Sequence, residues 1–391
     1  MVSNPPRLKL FNYFVVEGIC AFAGILFLYC AFFWTGKKFG YSATENLLLT
    51  ATHGFTYIFS SKYGGKIADR FGYDRTLFFC SLGIAATLLV GWIPDWRWTP
   101  FVVVVLFTIF IGPIWPSLEA AVLHCPGKTS MPNRLGFYNI TWGTGDALGF
   151  AFSAFFFNWN PDSILWAAGI FYLVQSAWLK LGPSHHGQGE GIAMDIPHSG
   201  TAVPREVKRR FMHTAWLANA LGFLLVAGTT ALNPQLGEKL GLSATATIWL
   251  SSTQLFARAA SFAICWKWEA WHYHRGWSLW ALWIAPVSIA MAFFINNTVV
   301  VFAALALFGL AHGLSYSGSL YYSLDYGDNK GEHGGLHEAI LGIGIFSGPL
   351  LAALVAWLGG GLFGAQWTIV GLPLLFNFLA LSWFAQMKRA R

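Results

Sequence analysis

The side chains best placed to do chemistry in this chain are ionisable groups set inside long apolar runs. Asp146 lies about 12 residues into such a run, roughly 18 Å along a helix that rises 1.5 Å per residue. Helical spacing puts Asn139, Trp142, Gly143 and Asp146 on one face. Arg258 is the one basic residue within an apolar run, and Gln254 precedes it by one turn. A charge in a membrane interior costs about 2.5–3.5 kcal/mol on insertion scales, so each needs a partner or a task. Asp146 and Arg258 suit one another as an ion pair; Arg258 equally suits an anionic substrate group. Glu17 with Tyr13, and Glu119 with Trp115, are i, i+4 pairs whose acids read as lying one or two turns from a membrane surface, within snorkelling reach. Glu338, beside His337, reads as the start of its run, where the helix dipole favours negative charge. His53 is placed mid-run, and an imidazole titrates near neutral pH, as proton coupling requires. Tyr316, Tyr321 and Tyr322 read either as cavity lining or as packing.

Composition says what surrounds these groups. Of 391 residues 55% are hydrophobic and only 10% charged, against about a quarter charged in soluble domains. Aromatic residues make up 17%, and many of the 20 Trp fall near the ends of apolar runs, as interfacial belts do. The net charge of +7 is spread over alternate loops rather than gathered on one face, so nucleic acid is not an expected partner. Five scattered cysteines without a CxxC pair support neither a disulfide framework nor a zinc site. No metal or cofactor is expected. GxxxxGK[ST], HExxH and GxSxG are all missing, which argues against ATP-driven transport and against an intramembrane enzyme. The first apolar run follows a short basic start and is long enough to span, so a cleavable signal is not expected.

The elements that must hold these residues are twelve apolar runs, near 11–34, 44–61, 76–93, 100–123, 135–157, 163–181, 211–233, 244–266, 277–295, 298–323, 335–358 and 366–386. Runs this long exclude a barrel and predict helices, since only those satisfy the backbone in lipid. An all-α polytopic membrane protein follows. The glycine-, serine- and histidine-rich stretch 182–210 divides the runs six and six, giving an N-terminal bundle (1–181), a linker and a C-terminal bundle (211–391). His185-His186 in that stretch read as solvated loop. Arg7, Lys66, Arg70, Arg75, Lys128, Arg134, Arg209, Arg275, Lys388 and their basic neighbours fall in one set of loops, and only Lys37, Lys38, Arg97 and Lys239 in the other. By the positive-inside rule both termini face the cytoplasm.

Between the second and third runs stands Gly65-Lys66-Ile67-Ala68-Asp69-Arg70-Phe71-Gly72-Tyr73-Asp74-Arg75, read here as a tight, charged turn. It resembles the signature loop between helices 2 and 3 of the major facilitator superfamily, although Tyr73 and Asp74 stand where that family usually carries basic residues. Internal duplication supports the resemblance. Lys38-Phe39-Gly40-Tyr41-Ser42-Ala43-Thr44 recurs as Lys239-Leu240-Gly241-Leu242-Ser243-Ala244-Thr245, and Gly143-x-Gly145-x-x-x-Gly149 as Gly342-x-Gly344-x-x-x-Gly348. The resemblance implies two pseudo-symmetric six-helix bundles, with helices 5 and 8 meeting where the halves face each other. It also implies that Gly65, Asp69, Arg70, Gly72 and Arg75 form a conformational latch, with Asp69 bonding the end of helix 11.

The function expected is secondary transport by alternating access in a plasma (bacterial inner) membrane, by a monomer. The first choice is proton-coupled symport of a small polar solute: a sugar, nucleoside or organic acid. A drug or metabolite exporter and a uniporter are the alternatives within transport. The Gly-Pro typical of exporters in helix 5 is here Gly348-Pro349 in helix 11, which weakens the exporter reading. A transporter-like receptor is the alternative from another class.

Overall fold

The computed structural model describes residues 6–125, 129–181, 203–326 and 330–380. Residues 182–202 of the expected linker, with His185-His186, lie outside the described residues, as do Lys128, Lys388, Arg389 and Arg391. Among the described residues the chain is helical, with no strand. In the first half run α1 (Pro6–Leu28), α2 (Ala31–Phe39), α3 (Ala43–Phe71), α4 (Tyr73–Gly91), α5 (Thr99–His124), α6 (Met131–Trp159) and α7 (Ser163–Leu181). The second half holds α8 (Arg205–Ala231), α9 (Asn233–Leu240), α10 (Ala244–Lys267), α11 (Arg275–Phe294), α12 (Thr298–Tyr326), α13 (Lys330–Val355) and α14 (Gly361–Leu379). Together they make twelve membrane crossings in two pseudo-symmetric bundles of six. α1 with α2 forms the first crossing, and α8 with α9 the seventh. Crossings α3, α6 and α10 are the least apolar of the set, because they carry the polar side chains of the interior.

The sequence repeat is a repeat of local structure. Each short helix, α2 and α9, ends on a glycine in the left-handed region (Gly40 φ 65°, Gly241 φ 67°). The serine two residues later caps the next helix: Ser42 accepts from Glu45 N, and Ser243 from Ala246 N. The glycine repeat works the same way in both halves. An added Cβ at Gly149 would stand 2.2 Å from Phe22 O on α1, and one at Gly344 would stand 2.2 Å from Ala220 O on α8. These glycines let α6 lie directly on α1, and α13 directly on α8. The halves meet along two seams, α6 with α10 and α3 with α13. α2 and α9 touch at one end of the molecule; the other end, which bears the α3–α4 junction, is called here the basic end.

Three expectations need correction. α3 continues unbroken to Phe71, so Gly65 sits within a helix, in open space, and not in a turn. The chain turns at Gly72 alone (φ 91°), a conformation that a residue with a Cβ resists. The helices also extend further toward the basic end than hydropathy indicated. α13 begins at Lys330, which places Glu338 more than two turns inside the helix and beyond the reach of its N-terminal dipole. Glu17 and Glu119 are 0% and 6% exposed, so neither snorkels to a surface. Lys208, Arg209 and Arg210 belong to the first turns of α8.

Candidate functional site

A cavity of about 130 Å³ lies between the bundles, walled by α1, α3, α5 and α6 from the first half and α8, α10, α12 and α13 from the second. At its wall Arg258 Nη2, on α10, donates to Asp146 Oδ2, on α6. Both side chains are almost wholly buried, at 1% and 3% exposed. The bond uses only part of what the pair offers. Asp146 Oδ1, Arg258 Nε and Arg258 Nη1 are buried with no hydrogen-bond partner. The guanidinium also lies 4.3 Å from the ring centroid of Trp142, an attraction that grows when both groups are out of water. Trp142 in turn packs on Tyr316 (centroids 4.6 Å apart) and stacks on Phe262 (5.4 Å). The pair thus stands in an aromatic box, bridging the two halves, with donors and an acceptor to spare.

His53, Trp115 and Glu338 also reach this cavity. His53 Nδ1 is 2.7 Å from Thr108 Oγ1, a buried link between α3 and α5. Glu338 Oε2 accepts from the hydroxyl of Tyr57, across the α3–α13 seam. The other expected residues lie elsewhere. Tyr13 donates to Asp74 Oδ1 at 2.7 Å, which ties α1 to the start of α4 rather than to Glu17. Glu17 is enclosed with both carboxylate oxygens unpartnered. Asn139 faces a separate cavity of about 60 Å³ toward the basic end, between α6 and α10. Gln254 is 2% exposed, its side-chain amide has no partner, and its backbone carbonyl faces Gly309 on the α10–α12 seam. In the loop motif Asp69, on α3, accepts at 3.2 Å from the hydroxyl of Tyr73, the first residue of α4, across the Gly72 turn. Arg70 lies over the Phe71 ring.

Sequence reading missed three features. His312, on α12, is 2% exposed with Nε2 unpartnered, in a space that Gly222 leaves open. It meets the criterion that singled out His53, an ionisable group in an apolar run. Arg134, counted as a loop residue, is 3% exposed and donates to the carbonyls of Val122, Leu123 and Cys125. It closes the end of α5, where a cation is favoured. Finally, a ring nitrogen of His337 and carboxylate oxygens of Glu119 and Glu338 lie within 4.8 Å of one another, all buried. The expectation of no metal-ligand cluster rested on local spacing, and no local spacing reveals groups brought together from α5 and α13.

The Major Facilitator Superfamily family model matches residues 14–230, more than half of the chain. The chain belongs to the Major Facilitator Superfamily. No relative among curated proteins matches it. Solved structures share its fold over nearly its whole length. The nucleoside transporter NupG superimposes with a TM-score of 0.72 at 11% identity, covering 97% of this chain and 98% of its own. A mutant form of the same transporter gives 0.72 at 10% identity, with coverage of 97% and 99%. The human organic anion transporter MFSD10 (TETRAN) gives 0.69 at 16% identity, with coverage of 96% and 100%. As a member of this superfamily the chain is an integral membrane transport protein, acting on a small-molecule substrate.

Proposed function

We propose that the protein is a proton-coupled secondary transporter that imports a small polar solute by rocking two bundles about the central cavity. The bodies that rock would be residues 1–181 and 211–391, joined through the 182–210 stretch, whose last residues form the start of α8. The basic end would face the cytoplasm of a bacterial inner membrane, with both termini there, and one copy would suffice. One observation carries the reading: the Asp146–Arg258 pair bridges the halves at the cavity wall while three of its polar atoms have no partner. A solute that satisfies those atoms interacts with both bundles at once, which gives alternating access its coupling. The aromatic box around them favours a ring-bearing solute with hydrogen-bond acceptors, so a nucleoside or an aromatic organic acid comes before a sugar. Glu17, buried with both oxygens unpartnered, and Asp146 are the groups proposed to take up the coupling proton. Gly65, Asp69, Arg70, Gly72 and Arg75 remain the proposed latch, engaging in another state of the cycle.

The test is uptake and counterflow of labelled uridine and of aromatic acids in proteoliposomes, with and without an inward proton gradient. Gradient-driven accumulation that fails in Asp146→Asn supports the reading. Counterflow without a gradient response would establish uniport instead. Binding without counterflow would indicate a receptor. A second reading, export of planar amphipathic compounds, draws on the largely aromatic and aliphatic character of the cavity wall. It predicts that amphipathic dyes, and not uridine, are moved.

A further inference from the structure

We propose that Glu119, His337 and Glu338 form a divalent transition-metal site that clamps the two bundles together near the basic end. This goes beyond solute transport through the central cavity, with which the site shares Glu338 alone. Glu119 comes from α5 in the first bundle, while His337 and Glu338 come from α13 in the second. Their ligand atoms lie within 4.8 Å of one another, and the residues are 6%, 0% and 3% exposed.

Two observations point to a cation rather than to packing. The first is His337 itself. Its Nδ1 is 3.0 Å from Ser319 Oγ, and its Nε2 is buried with no partner. A buried histidine with one nitrogen held by a hydroxyl, the other without a partner, and a ring nitrogen within 4.8 Å of two carboxyl oxygens resembles a metal ligand with its outer support in place. Glu338 is supported likewise by the Tyr57 hydroxyl, and Glu119 Oε1 is left without a partner. The second is charge. Arg258 is bonded to Asp146, and Arg134 to the carbonyls at the end of α5, so the charges of these two buried arginines are engaged away from the acids. Two carboxylates and a divalent cation sum to zero, the state that a low-dielectric interior favours.

One imidazole and two carboxylates are a borderline-hard donor set that suits zinc, manganese or cobalt better than a soft metal. Three protein ligands leave a fourth position open, as in exchangeable zinc sites. Ligands at about 2.0–2.2 Å around a tetrahedral ion stand roughly 3.4 Å apart, within the 4.8 Å that bounds the three groups here. Since the ligands come from both bundles, the metal would hold the arrangement seen here and slow its exchange with the alternate one.

The experiment uses the full-length protein, purified in detergent, stripped with chelator and titrated with Co²⁺ and Zn²⁺. His185→Ala/His186→Ala is the background, so that the paired histidines of the 182–202 stretch do not compete. The expected result is one equivalent of Co²⁺ with visible d–d absorption, displaced by Zn²⁺, and a metal-dependent rise in melting temperature. His337→Asn and Glu119→Gln should each abolish the absorption. Ser319→Ala, a milder change that leaves the three ligands intact, should weaken binding about 10–100-fold. No saturable equivalent in the background protein would overturn the proposal. So would binding that survives both ligand substitutions, or a Ser319→Ala affinity equal to that of the background.

Discussion

Removing one partner of the Asp146–Arg258 pair should cost far more than removing both, and the two single variants should respond differently to pH. In Asp146→Asn the guanidinium stays 1% exposed and loses its one charged partner. It cannot shed its proton. Breaking a buried pair this way costs about 3–5 kcal/mol, and the Trp142 face at 4.3 Å, already engaged in the parent, offers no new compensation. A loss of about 3–5 kcal/mol is expected. Arg258→Met leaves the carboxyl, which can become neutral by taking a proton. That costs about 1.4 kcal/mol for each pH unit above its ordinary value near 3.9. The loss in Arg258→Met should therefore shrink by about that amount from pH 7 to pH 6, and Asp146→Asn should not change. The sign follows from linkage: a carboxyl that must be protonated in the folded state gains stability as pH falls. The double variant, with no buried charge left at this pair, should lie within about 1 kcal/mol of the parent. Denaturant titrations of purified protein at pH 7 and pH 6 supply the cycle. Additive single losses, or equal pH responses in the two variants, would refute the reasoning.

Other consequences are simpler to check. Gly149→Ala and Gly344→Ala place a methyl against a backbone carbonyl that cannot swing aside; each should cost about 1–3 kcal/mol through overpacking, read as a fall in melting temperature. Gly65→Ala meets nothing within 4 Å inside a helix and should stabilise by roughly 0.5–1 kcal/mol, whereas Gly72→Ala, at φ 91°, should lose about 1–2 kcal/mol. Tyr57→Phe strips the donor from buried Glu338, a loss of about 1–3 kcal/mol visible in the same melts. Arg134→Leu leaves the terminal carbonyls of α5 without their cation, and hydrogen exchange should quicken over the last turn of α5 while the start of that helix is unaffected.

The sequence carried the periodic part of this fold. Membrane spans announce themselves by length and apolarity, so the twelve crossings and the six-and-six division were readable. The repeats around Gly40 and Gly241, and around Gly149 and Gly344, recur as the same caps and close contacts. The meeting of α6 with α10 followed from duplication and family resemblance together. Depth and enclosure were not readable. Hydropathy ends a span where polar residues begin, but α3 and α13 remain helical through polar sequence, because a helix satisfies its backbone in water as well as in lipid. That error put Glu338 at a helix terminus and the Gly65 segment in a turn. Burial of Glu17 depends on neighbouring helices, which one chain position cannot reveal. The Glu119, His337 and Glu338 cluster is tertiary in the same sense. His312 was a true oversight, since an imidazole within an apolar run was already the stated signal.

The unbroken course of α3 has a mechanical consequence. Its 29 residues make a rod of about 43 Å, some 13 Å longer than a hydrocarbon core of about 30 Å is thick. From Tyr57, at the cavity, to Phe71, at the tip, the rod runs roughly 21 Å. A tilt of about 15°, the size of rigid-body rotations in other switching proteins, would carry the tip about 5 Å. That is one helical pitch, enough for each side chain at the tip to exchange its neighbour for the one a full turn away. A stiff lever of this kind converts a small change at the solute into a discrete change of partners at the membrane surface. Had the chain turned at Gly65, the same tilt would have been absorbed by a joint.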